Sequence, residues 1–283
     1  MTSRTSPTVR RRRLAAELRE LRRKSGKSRD EVASYVGVAP STITKIENSS
    51  AIARPADVSM MLNLYGVDSE RHDVLMTLAR DARQRGWWQA YSGAIPQWFE
   101  VYVGLEEEAS KICSWENEQI DGRLQTEDYM RALFQSEMIV PSDEEIDRRV
   151  AVRLKRQEKL LAADAPELWV VVGEGALRRM VGGVETMRGQ INKLIQAPRI
   201  NNIMLQVLPF SAGAHPAMHG AFHLLGFAGD PDVVYVEYRQ GSLYLEQAPD
   251  VDAYVKLFDH LRARALSPDD SRVLLARVMD EIS

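Results

Sequence analysis

A single cysteine, Cys113, among 283 residues has no intrachain disulfide partner and no second thiolate for a zinc site, so it reads as a reduced, buried bystander. Also missing is any run approaching the roughly 20 apolar residues of a membrane-spanning helix. The amino terminus, MTSRTSPTVRRRR, has basic residues but no apolar stretch behind them, which excludes the pattern of a secretory leader and predicts a cytoplasmic protein. Net charge is small as well, at −3, in a composition 45% hydrophobic and 27% charged, that of a soluble globular chain. That small net hides an asymmetry. Residues 1–54 hold thirteen Lys/Arg against five Asp/Glu, a balance of +8, which leaves −11 for the remainder. A basic end of this kind is the footprint of a phosphate binder, and the acidic remainder is excluded as the part that touches DNA. The length argues for two domains. The boundaries read as 1–86, a linker over 87–97, and 98–283.

RLAAELRELRRKSG carries Leu14, Leu18 and Leu21 at spacings of four and three and ends at Gly26, the pattern of an amphipathic helix. Ser28 followed by Glu31 forms a capping box for a short second helix that stops at Gly37. Beyond it the spacing becomes informative. Ala33 is small enough for a crossing helix to approach, and Gly37 permits the positive φ of a tight turn. Val38, Ile43 and Ile46 then pin the next helix against the previous one. With Pro40 in its first turn and Ala39 a poor cap, that helix turns Ser41, Thr42, Lys45 and Thr44 outward, since each residue advances it by about 100°. Together with the local basic excess, these positions describe a helix-turn-helix.

The run LRELRRKSGKSRDEVASYVGVAPSTITKIENSS resembles the DNA-binding domain of XRE-type, phage-repressor-like regulators. In that family a first-helix arginine pairs with the glutamate ending the recognition helix, which implies Arg22 with Glu47 here. Arg13, Arg22, Ser28 and Arg29 join the candidate DNA-binding residues, with phosphate contacts expected from the arginine-rich first helix. Base readout would fall to Ser41, Thr42 and Lys45, with Lys45 able to donate to guanine O6 and N7, while Thr44 could contact base or phosphate. VRRRR, residues 9–13, reads either as an arm entering the minor groove or as a solvated tail. Two further helices follow and complete a five-helix domain. Trp87 and Trp88 read as an interdomain plug or a binding platform.

From Trp98 the character changes to a mixed α+β domain. VYVGLEEEASKICSWENEQI and DEEIDRRVAVRLKRQEKLLA read as helices. LWVVVG and IMLQVLPF read as a parallel strand pair joined by a helical crossover, and AFHLLGFAG, VVYVEYR and SLYLEQ as strands at hairpin distances, before two final helices. LEEEA, LQTEDYMRAL, RLKRQEKLL, EGALRRMVGG, MLQVLPFSAGAH and VVYVE are similar to the large domain that follows the helix-turn-helix in many actinobacterial, antitoxin-like XRE regulators. Members are often encoded beside a small protein, which implies a protein-binding role. The family's Pro-Gly-Leu-Leu-Gln-Thr run is DGRLQT here, with Asp121 and Arg123 at its first and third positions, so a partner or effector surface there would be altered.

Three stretches invite a catalytic or metal reading. His215, His219 and His223 lie four apart, yet Pro216 and Gly220 interrupt any helix that would align them, and His223 begins a strand, so no metal is expected; His215 and His219 stay as a possible partner or effector surface. VGEGALR lacks the third glycine of a dinucleotide loop. Cys113 has no histidine near it in sequence. The expectation is therefore a DNA-binding transcriptional regulator, not an enzyme, with no cofactor. It would act as a homodimer and bind a small protein through its second domain; the alternative is a ligand-responsive factor with an effector pocket near PFSAGAHPAMHGAF.

Overall fold

The computed structural model of the chain describes residues 7–84, 86–91 and 93–282, and backbone contacts divide it after Ala90 into two compact units. Among the described residues the first holds five α-helices: α1 (Pro7–Lys24), α2 (Arg29–Val36), α3 (Pro40–Glu47), α4 (Pro55–Leu64) and α5 (Ser69–Asp81), and a 3-10 turn at Trp87–Tyr91 runs across the division. Leu14 and Leu18 of α1 bury against Val32 and Ala33 of α2, Ile43 and Ile46 of α3, Val58 and Met61 of α4 and Leu75 of α5. Five short helices that each bury one apolar stripe are stable only as such a cluster.

The basic tract is not an arm. Residues 9–13 form early turns of α1: Val9 is buried in the fold, and Arg11 Nε donates to the Ala82 carbonyl at 2.8 Å. A single apolar residue ahead of four arginines gave no amphipathic period, so sequence pattern placed the helix start too late.

The second unit is α+β. In chain order it contains α6 (Gln97–Glu108), β1 (Lys111–Glu116), α7 (Glu127–Gln135), α8 (Asp143–Glu158), β2 (Glu167–Gly173), α9 (Glu174–Arg178), α10 (Gly183–Gln196), β3 (Ile203–Leu208), β4 (Phe222–Gly226), β5 (Val233–Tyr238), β6 (Gly241–Leu245), α11 (Ala248–Arg264) and α12 (Pro268–Glu281). Its six strands lie in the order β3-β2-β1-β4-β5-β6. β1, β2 and β3 are mutually parallel and the rest antiparallel. The crossover pair and the two hairpins are as the sequence predicts.

VYVGLEEEASKICSWENEQI, by contrast, is not one helix. α6 ends at Glu108 and the chain turns through Ala109 into β1, an interior strand of the sheet. A strand buried on both faces shows no polar alternation, and the charges flanking this one imitate a helical face. Its two faces differ in kind. Cys113 and Trp115 join an apolar layer with Val171, Leu224, Val234 and, from α11, Phe258 and Leu261. Ser114 and Glu116 point to the other side, where the register sets Ser114 beside His223 and His223 beside Tyr235. No helix among the described residues is long and apolar enough to cross a membrane.

Candidate nucleic-acid interface

The helix-turn-helix is assembled from local rules. Ser28 Oγ accepts from the Glu31 backbone N–H at 3.2 Å, and Glu31 Oε2 accepts from the Ser28 N–H at 2.8 Å, closing the capping box at the start of α2. Gly37 ends that helix at φ +77°, its N–H returning to the Ala33 carbonyl. The positive φ is why glycine stands there, since an ideal Cβ at Gly37 would meet nothing within 4 Å. Pro40 then opens α3 in a turn where its missing N–H costs nothing, and Ala39 makes no side-chain cap.

Once Ile43 and Ile46 are buried and Val38 packs beside them, the opposite side of α3 is decided. Ser41 and Lys45 are exposed; Thr42 and Thr44 are half-buried. Thr44 Oγ1 donates back to the Pro40 carbonyl at 3.3 Å, so its hydroxyl offers only acceptor capacity to another partner.

Behind α3 sits a charged clamp. Glu47 is fully buried and accepts from Arg22 Nε at 2.5 Å, Arg22 Nη2 at 3.1 Å and Arg29 Nε at 2.9 Å. Burial alone would push the Glu47 carboxyl up, but the hydrogen bonds from Arg22 and Arg29 outweigh it and hold the group below the usual carboxylate range. Arg22 Nη1 also donates to the Lys27 carbonyl at 3.0 Å, so three of its five N–H donors serve the fold. Arg29 is half in solvent, and Arg13 is exposed on α1. Two guanidinium groups on one carboxylate leave a net positive charge where α1, α2 and α3 meet.

Elsewhere, two of the four expected surface residues are not where a surface needs them. Asp121 and Arg123 are buried to within 2% and bind each other: Arg123 Nε donates to Asp121 Oδ1 at 2.8 Å and Nη2 to Oδ2. The DGRLQT loop is an internal clasp, because a complementary pair two residues apart can neutralise itself indoors where either charge alone could not. His215 is half-buried, its ring edge-on to Trp115 at 5.1 Å, and His219 is exposed.

Asp121 and Arg123 belong to a polar layer that sequence reasoning did not find. Arg156 of α8 binds Glu106 of α6 through two hydrogen bonds of 2.7 and 2.8 Å. His223 Nδ1 faces the Tyr102 hydroxyl at 2.9 Å and Arg123 Nη2 at 3.3 Å. A guanidinium only donates, so Nδ1 is the acceptor, and Nε2 carries the proton toward Glu116 Oε1 at 3.2 Å. Burial drives the Glu116 carboxyl up against the pull of His223, whereas Arg123 overcomes burial and holds Asp121 well below the usual range.

Ligand atoms of Glu116, Asp121 and His223 lie within 4.8 Å of one another, the separation a metal ion would need. Both Asp121 oxygens are taken by Arg123, however, and a cation would have to displace that guanidinium, so the set is better matched to its own ion pairs. The signal that could have located it is Ser114 and Glu116, polar residues two apart that alternate with the apolar Cys113 and Trp115.

Comparison with family models returns two matches. Residues 13–75 match a helix-turn-helix domain, and residues 99–277 match a domain of unknown function (DUF5753). The comparisons with curated proteins and with solved structures find no match. The first match takes in the capping box, the Gly37 turn and α3, which marks a DNA-binding regulator. The second covers well over half of the chain, and the chain therefore belongs to the DUF5753 family, preceded by a helix-turn-helix domain.

Proposed function

We propose that the protein is a sequence-specific transcriptional regulator of the antitoxin-like XRE kind, acting on operator DNA in the cytoplasm as a homodimer. The observation that carries the proposal is the sidedness of α3. Ile43 and Ile46 anchor one face and the Glu47 clamp its end, while Ser41 and Lys45 stand in solvent with Thr42 and Thr44 beside them. A helix held this firmly can bring short hydroxyls and one ammonium to base edges in the major groove. Lys45 reads guanine, Ser41 and Thr42 the neighbouring bases, and Thr44 meets base or phosphate. Arg13, Arg29 and the Ser28 hydroxyl supply phosphate contacts, and Arg22 acts chiefly by positioning α3. Two copies would set their recognition helices about 34 Å apart on an inverted repeat.

The acidic second domain supplies pairing and capture of a small protein partner. It works by binding and not by catalysis: its concentrated polar groups are engaged with one another. The test is selection of bound fragments from genomic DNA by the purified protein across a salt series. A recovered inverted repeat, with log K falling linearly in log salt, supports the reading. Recovery of random fragments defeats it.

A further inference from the structure

The two ends of the six-stranded sheet are finished differently. At β3 the outer edge is closed by the chain itself: the Val207 N–H donates to Ser271 Oγ at 2.9 Å, and the Val207 carbonyl accepts from the Leu266 N–H at 2.9 Å. At the other end, β6 is paired with β5 alone among the described residues. The β5–β6 register sets Tyr238 opposite Gly241 across a two-residue turn. Backbone alternation then directs the N–H and C=O groups of Gly241, Leu243 and Leu245 to β5 and those of Ser242 and Tyr244 away from it.

Such an edge is a template for another strand, and chains normally blunt it with proline, charge or a bulge. Gly241–Leu245 reads GSLYL, with neither proline nor charge. Leu243 is 48% exposed, and beside the turn stands a bare apolar loop, with Met138, Ile139 and Val140 at 79%, 82% and 59%. The Met138 sulfur lies 3.8 Å from Arg239 Nη2, which joins that loop to the hairpin end.

We infer that β6 is the seam of the homodimer, two copies of this chain pairing edge to edge and antiparallel about a twofold axis at Leu243. The inference rests on the homodimeric reading proposed above. The charges choose the occupant. Arg239 sits at one end of the strand and Glu246 at the other, both exposed. Antiparallel self-pairing brings each Arg239 end alongside the partner's Glu246 end, whereas parallel pairing would set like charges together. Because the contact is isologous and the β3 edge is closed, assembly stops at two.

Sedimentation velocity on the full chain tests the seam. The wild type is expected to be a dimer. Leu243→Lys, Arg239→Glu and Glu246→Arg should each weaken association by about tenfold or more, and the double reversal R239E/E246R should restore it. All three substitutions fall on exposed positions, so circular dichroism melts should match the wild type and separate loss of pairing from loss of fold. A monomeric wild type, or a dimer indifferent to these changes, overturns the seam and leaves operator binding to be judged by its own selection experiment. A dimer that obeys the charge reversals yet shows no operator preference keeps the seam and defeats the DNA-reading proposal instead.

Discussion

Glu47→Gln removes a charge and almost no volume from the centre of the helical domain. The native carboxylate accepts two bonds from Arg22 and one from Arg29 with no exposure of its own. Removing one partner of a buried pair costs about 3–5 kcal/mol, mostly because the remaining charge is stranded. Here part of that cost is recovered. The Arg29 side chain is 42% exposed and can rehydrate, so its share is that of a surface pair, at most about 1 kcal/mol. Arg22 is 12% exposed and cannot leave without giving up the Lys27 carbonyl. The expected net loss is about 2–4 kcal/mol, or about 10–25 °C in melting temperature for a domain of this size.

The effect should also depend on pH. A carboxyl whose folded pKa is depressed stabilises above its unfolded value and loses that contribution as pH falls through the lower folded value. The gap between wild type and variant should therefore be full above about pH 5 and close in acid below the ordinary carboxylate range of about 4.3. Thermal melts across that range, with a double-mutant cycle against Arg22→Met, measure both quantities. A near-native melt and a coupling indistinguishable from zero would show that α3 is held by Ile43 and Ile46 alone.

Lys45→Ala should weaken operator binding by about 1–3 kcal/mol and leave nonspecific DNA nearly unaffected; equal losses in competition binding would reassign Lys45 to phosphate. Gly37→Val should lower the melting temperature even though there is room for the side chain, because φ +77° costs an L-residue roughly 1–2 kcal/mol and a β-branched one more; an unchanged melt would refute the turn. Asp121→Asn should destabilise the second domain by about 3–5 kcal/mol by stranding Arg123, and a loss under about 1 kcal/mol in urea denaturation would mean that Arg123 finds Glu106 sufficient.

The helix-turn-helix was legible because its determinants are close in the chain and each acts through one local rule. Ser28 and Glu31 cap across three residues, Gly37 answers the need for a positive φ, and Ile43 and Ile46 repeat at the helical period. Even the clamp spans only Arg22 to Glu47. The crossover of β2 and β3 was legible for a similar reason: two apolar runs separated by a helical period admit few topologies. β1 was not, since burial on both faces erased the alternation that marks a strand and its flanking charges supplied a false one.

The polar layer of the second domain was illegible for a different reason, and the DGRLQT loop shows why. Judged against the family's run, an aspartate at its first position and an arginine at its third look like two changes to an exposed surface. In the structure they are one buried ion pair. Each charge is tolerable at Asp121 or Arg123 only because the other is two residues away, and only because His223, 100 residues further on, accepts from Arg123 Nη2. Glu106 lies 3.6 Å from the same guanidinium and is itself held by Arg156, 50 residues along the chain. No local window contains those partners, so local reasoning priced the charges as solvated and put them outside. Their burial places Asp121 and Arg123 among the ion pairs that hold α6, α8 and β4 together and not on a docking surface.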